Sequence, residues 1–347
     1  PGCRRLVRGE RRPRRLGGAQ PVFAVKQRIH HALDRAADAW IAPLTPTRLA
    51  ALRILICGFA TIWVAVRTAY WLDLARLPDA RWYPVGLFRR WDGPPSAGSI
   101  AALAAVAVVS GVAATIGWRF RWTGPCLAAS LLVLTTFGQS WSQIFHTENL
   151  LVLHVAILAF SPASDAWSID VRRRGSATAP PARSAHGWPV RLMGAVTAMT
   201  YLVAGIAKLR IGGAAWITGE ALVNHVATDN LSKIRLGDVH SPIGGWLVAR
   251  AWVFPPLAWA SMVIELSAPV AVAFRRTRMW WVAGAWLFHV GILALMAIVF
   301  PYQLLGLAFA PYVAVDAWAV RLWQRWQARR GRRVANGPAA TTARAAR

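Results

Sequence analysis

The stretch TYLVAGIAKLRIGGAAWITGEALVNH, residues 200–225, decides how this chain is read. It begins as an apolar helix able to cross a membrane, and it stops being apolar at Lys208. It then turns through Gly212 and Gly213 and continues as an amphipathic segment carrying Trp216, Glu220 and His225. Two readings of Lys208 stand side by side. A lysine at the end of a span can snorkel to the headgroups. A lysine in a partly dry pocket can instead offer its neutral amine as a base.

The rest of the chain supplies the setting. Of 347 residues, 56% are hydrophobic, 20 are tryptophan, and the mean hydropathy is +0.38. A soluble chain of this length is more polar. Apolar runs of about 20 residues, the length that crosses a hydrocarbon core, recur between Leu49 and Val320. The expected fold is an all-α polytopic integral membrane bundle of about eight transmembrane helices. The spans fall near 49–71, 98–117, 124–140, 147–162, 189–208, 256–274, 279–298 and 302–320. Residues 1–44 read as a basic tail followed by an amphipathic surface helix holding His30 and His31. Residues 45–320 read as the membrane domain and 321–347 as a basic tail. The first 21 residues lack the apolar core of a secretory signal.

The net charge of +26 raises the question of nucleic acid. The arginines sit in short clusters between spans and at both ends, without the aromatic–basic interleaving of a nucleic-acid surface. No nucleic-acid partner is expected; the partner is the lipid bilayer, with its anionic cytoplasmic leaflet. Placing WRFRW (118–122), DVRRRG (170–175), RRTR (275–278) and both tails inside satisfies the positive-inside rule. The expected location is the cell membrane, multi-pass, with both termini cytoplasmic. His146, Lys208, Glu220 and His225 then share the outer side.

Ionisable residues at membrane depth each need a reason. Arg53 and Arg67 lie near the ends of the first span and can snorkel. Glu265, in MVIELSAPVAV, is either neutral or paired with an Arg or Lys, and Arg53 is one candidate. His289, in AWLFHVGILALM, is a helix–helix hydrogen-bond link or a site residue. His146 and His154 lie eight residues apart, about two helical turns on a similar face. That spacing is too long for one metal held by a single helix, and with no CxxC among the three cysteines no metal is expected. Trp141, Trp216, Trp246 and Trp252 read as an interfacial belt, or as walls for a flat ring such as a quinone.

These motifs, in order, resemble a known family. YLVAGIAKL followed by W and GEAL resembles the core of the vitamin K-dependent gamma-glutamyl carboxylases and their bacterial relatives, the HTTM (horizontally transferred transmembrane) domain proteins. HTENLLVLHVAILAFSPASDAWSID, ELSAPV and FHVGILALMAIVFPYQLLGL resemble other helices of the same family, over about residues 45–320. The resemblance implies that Lys208 is the base acting on a reduced quinone, a vitamin K-like hydroquinone. It implies that His146 and His289 are further catalytic residues. Trp216, Glu220, His225 and Glu265 are then the candidate substrate- or cofactor-binding set. The implied activity is that of a quinol-dependent carboxylase, a carbon–carbon lyase, acting on a secreted peptide or protein. The carboxylases carry a large luminal domain after their membrane part, and the resemblance covers only the membrane part. An alternative within the family is a non-enzymatic membrane subunit for maturation or export of a secreted peptide.

Overall fold

The computed structural model describes residues 34, 37–141, 146–175, 180–322 and 325. The chain divides into two compact units, Pro1–Ala42 and Pro43–Arg347. Of the first, little beyond a helical stretch at 37–41 is described, so the expected surface helix with His30 and His31 lies outside the described residues. Most of the expected C-terminal tail does too. Among the described residues the second unit is all helix, with one isolated bridge between Leu44 and Arg183.

Helix α1 spans Pro46–Leu74 and α2 spans Ala97–Ile116. Pro46 starts α1 where a missing N–H costs nothing. Ser96 caps α2 by accepting from Ser99 N at 3.2 Å. Along α2 the buried face is Ala104, Ala107, Gly111 and Ala114. This stripe of small residues lets α2 lie close against Cys57, Ala60, Thr61 and Val64 of α1. In a bilayer, where burial of apolar surface drives little, such close packing holds helices together.

Gly117 ends α2 in the left-handed region at φ 67°. A Cβ there would lie 2.4 Å from Ser168 Cβ and 2.8 Å from Arg53 Nη1, so no larger residue fits. Helix α3, Phe120–Gln139, starts two residues later. Its cap comes from a distant residue: Asp170 accepts from Arg119 N at 2.8 Å and Phe120 N at 3.0 Å. Asp170→Ala leaves these two donors without their carboxylate. The expected loss is about 1–2 kcal/mol, read as a lower unfolding temperature in detergent.

The remaining helices are α4 (Asn149–Ala159), α5 (Ile169–Arg173), α6 (Ser184–Gly212) and α7 (Ala214–Ile217). They continue with α8 (Glu220–Leu236), α9 (Pro242–Val248), α10 (Phe254–Leu266) and α11 (Ala268–Ala273). Helices α12 (Arg278–Met296) and α13 (Pro301–Leu304) close the series, and a 3₁₀ turn, Leu307–Tyr312, follows.

The expected count of about eight spans is not confirmed. Among the described residues four helices are long and apolar enough to cross a membrane: α1, α2, α6 and α12. A fifth span exists if α9 and the 251–266 segment, bent by 101°, count as one. Helix α4, expected to span, has only 11 residues, about 16 Å of rise against a hydrocarbon core of about 30 Å. The expected span at 256–274 breaks between α10 and α11, where Pro269 follows Ala268. The stretch from 302 holds a four-residue helix and a 3₁₀ turn before residues 315–322 resume a helix. Such short and broken pieces are tolerated at depth where protein covers them.

The carbonyl end of α12 shows how covering is done. Ala294 O accepts from Ser241 Oγ, Leu295 O from Asn230 Nδ2 at 2.9 Å, and Met296 O from Lys233 Nζ. Three side chains from the 230–241 region thus satisfy three orphan carbonyls. They tie α8 and the start of α9 to α12.

Arg53 corrects another expectation. It does not snorkel: it is fully buried. Its Nη1 donates to Ala163 O at 2.8 Å and Ala166 O at 3.3 Å, and Nη2 donates to Trp167 O at 2.6 Å. It therefore clamps α1 to the turn before α5. Arg67, near the other end of α1, is half-buried over the Tyr70 ring at 4.0 Å and lies 3.9 Å from Glu148.

Candidate functional site

Lys208 and Glu265 meet. Gly205, one turn before Lys208 on α6, is buried, and a Cβ there would lie 3.0 Å from both Glu265 Cβ and Leu266 Cδ2. The absence of a side chain brings α6 against α10 at this level. Lys208 Nζ then donates to Glu265 Oε1 at 2.7 Å. Glu265 is buried, with its side chain 3% exposed against 21% for Lys208. Glu265 thus pairs with Lys208, not with Arg53. Its second oxygen, Oε2, is buried and has no hydrogen-bond partner among the described residues.

Aromatic rings surround the amine. Nζ stands 4.7 Å from the Trp216 ring and 5.2 Å from the Phe288 ring. Both faces attract a cation and pack against a flat ring. The Trp216 ring stacks with His225 at 5.6 Å and 28°. His225 itself is exposed, so it reaches the amine only through Trp216.

The other two histidines follow through ring contacts. His289 follows Phe288 on α12, and its ring meets Phe300 at 5.0 Å. His146 meets the same Phe300 ring at 5.6 Å. His289 Nδ1 is 2.9 Å from Ala285 O and 3.3 Å from Tyr201 Oη. A carbonyl can only accept, so Nδ1 carries the proton and Nε2 keeps its lone pair. Nε2 has no hydrogen-bond partner among the described residues.

Six of the seven sequence-selected residues are therefore linked through shared rings and one ion pair: Lys208, Glu265, Trp216, His225, His289 and His146. Glu220 is not. It opens α8, exposed, and has no side-chain partner among the described residues. Its position at a helix N-terminus is ordinary for an acid. His154 also lies apart. It is fully buried, with Nδ1 2.7 Å from Tyr302 Oη and Nε2 3.1 Å from Met193 O.

The expected tryptophan belt is split. Trp246 and Trp252 are exposed, whereas Trp141 and Trp216 are buried, Trp141 against Trp82 and Phe137. Sequence reading missed Tyr201, Phe288 and Phe300 as the aromatic neighbours of these groups. Tyr201 precedes Lys208 by seven residues, two turns on the same face of α6, so helical spacing alone could have found it. No such signal ties Phe300 to His146.

An all-helical bundle with four or five candidate spans and an ion pair between two of its helices is the make-up of a polytopic membrane protein. The chain belongs to the HTTM domain family, whose model matches residues 41–318. No curated protein and no solved structure matches it.

Proposed function

We propose that this protein is a quinol-dependent membrane enzyme of the carboxylase-like kind, with Lys208 as its base on the extracytoplasmic side. One observation carries the reading: an amine held 2.7 Å from a buried carboxylate, with aromatic faces on its other sides. A lysine serving only to snorkel has no use for such a partner.

The residues suit a flat, hydroxylated ring. Phe288 offers a ring for it to pack against, and the unpartnered Oε2 of Glu265 offers an acceptor. A reduced quinone bound there supplies hydroxyl protons and, toward oxygen, the electrons that side chains lack.

The chain's own part is proton handling. In the pair Nζ donates to Oε1. With that proton on Glu265, Nζ carries a lone pair and can accept a second proton. The ammonium formed then faces the anion left on the proton donor, so charge balances inside the site. Trp216 and Phe288 stabilise that ammonium through their ring faces. His289, with Nδ1–H committed to Ala285 O, presents a fixed acceptor at Nε2. His146 borders the same ring, Phe300, from the exposed side.

The deciding experiment is turnover dependent on both oxygen and a reduced quinone, in membranes holding the full chain, with labelled bicarbonate as carbon source. Turnover that needs all three supports the enzyme. No turnover with any of them supports the alternative, a membrane subunit for maturing or exporting a secreted peptide.

The arginine clusters support an extracytoplasmic site through the positive-inside rule. His240 lies in the exposed turn after α8, joined to the site by the ties on α12. His240→Cys, in a background without the native cysteines, is expected to react in intact cells with a maleimide that cannot cross membranes. Labelling only after the cells are broken would place the site on the inner side.

A further inference from the structure

The end of the bundle away from Lys208 carries a second feature. A groove of about 730 Å³ lies between Ile54 of α1, Ile116 at the end of α2, the Trp167–Ile169 turn and Val320. Its lining is almost wholly apolar. The two hydroxyls in it are already engaged: Thr115 Oγ1 donates to Gly111 O at 2.7 Å and Ser168 Oγ to Ser164 O at 2.6 Å. Apart from Arg172, no lining side chain is left to recognise a small hydrophilic solute.

The charge sits at one edge. Arg172 lines the groove, and Arg173 follows it on α5, exposed. Arg119 and Arg121 are exposed at the α2–α3 turn, which Asp170 of α5 caps. Among the described residues none of these four arginines has a carboxylate partner. The other edge faces lipid. Val109, Val112 and Ile116, on one face of α2, are 68%, 51% and 44% exposed, and Ile54 beside them on α1 is 37% exposed. On helices that cross a membrane, an exposed apolar stripe of this kind is acyl-chain contact.

The groove thus joins a hydrocarbon-facing side to the guanidinium of Arg172, with three further exposed arginines on α5 and the α2–α3 turn. We propose that it seats one anionic diacyl phospholipid, with acyl chain along Ile54, Ile116 and Val320 and phosphate at Arg172. Arginine binds phosphate through paired, charge-assisted hydrogen bonds. A zwitterionic lipid fits the apolar part equally but gains less at the arginines. The observation is independent of any role for Lys208.

The test titrates the purified full chain in detergent with phosphatidylglycerol or phosphatidylcholine and follows the first bound lipid by native mass spectrometry. Phosphatidylglycerol is expected to bind at least about fivefold tighter, the worth of roughly one arginine at a membrane surface. Arg172→Gln, an exposed position, is expected to remove that preference and leave phosphatidylcholine binding unchanged. Ile116→Trp, which fills the groove, is expected to weaken both. Equal affinity for the two lipids, or an Arg172→Gln variant that keeps the preference, overturns the proposal. So does protection from thermal unfolding by inorganic phosphate as large as that by phosphatidylglycerol, which would mark a site for the free anion.

Discussion

Replacing Lys208 by alanine is expected to lower oxygen- and quinol-dependent turnover by about a hundred- to ten-thousand-fold, the range a positioned general base contributes. The same substitution strands Glu265, whose side chain is 3% exposed. Removing one partner of a buried pair costs about 3–5 kcal/mol when the other stays charged. A carboxylate can take up a proton instead, so the loss of stability falls toward the lower figure. A second variant separates the two effects. Lys208→Met with Glu265→Gln leaves no charge behind and is expected to unfold near the wild-type temperature, yet to remain inactive. If the double variant turns over like the wild type, Lys208 is not the base. If Lys208→Ala alone loses activity and the double variant regains it, the pair is only structural.

The second large effect is at Arg53. Arg53→Leu keeps the apolar contacts of the stem but leaves the carbonyls of Ala163, Ala166 and Trp167 without their donor. Each buried, unpaired polar group costs about 1–3 kcal/mol. The expected total is about 3–9 kcal/mol, comparable to the whole stability of an ordinary domain. It should appear as a large drop in unfolding temperature, or as loss of the folded protein from membranes. Arg53→Lys is expected to recover only part of this, since a single ammonium cannot reproduce the guanidinium fork over three carbonyls. An unfolding temperature for Arg53→Leu within a few degrees of wild type would mean that water or backbone movement satisfies the turn.

Both cases show where sequence reading stops. The runs at 49–71, 98–117, 189–208 and 279–298 each fall within or against a long helix, because uninterrupted apolar composition is visible residue by residue. The run at 256–274 looked the same, but Pro269 divides it, and hydropathy does not register a missing N–H. Helix α4 is apolar yet short, and composition alone does not tell lipid from protein as its surroundings. Of the site, the residue types were readable: a lysine ending a span, a glutamate within one, histidines on apolar helices. Their partners were not. Glu265 was open to Arg53 or a lysine, and the choice depends on Gly205 and the approach of two helices. Arg53 looked like a snorkelling side chain because its three acceptors lie more than 100 residues away and are backbone atoms. Backbone acceptors have no sequence signature.

The Lys208–Glu265 pair also has a history. The two residues are 57 positions apart. At roughly 5–20 residues per second, the ribosome needs on the order of several seconds between them. During that interval α6 is made but Glu265 is not yet there to meet Lys208. The nascent chain can keep Lys208 at the headgroups until α10 arrives, and only then draw it inward. A chain stopped before residue 254 should therefore hold α6 in a shallower register than the finished protein. Completion of the C-terminal half thus sets the depth of a helix that was inserted earlier.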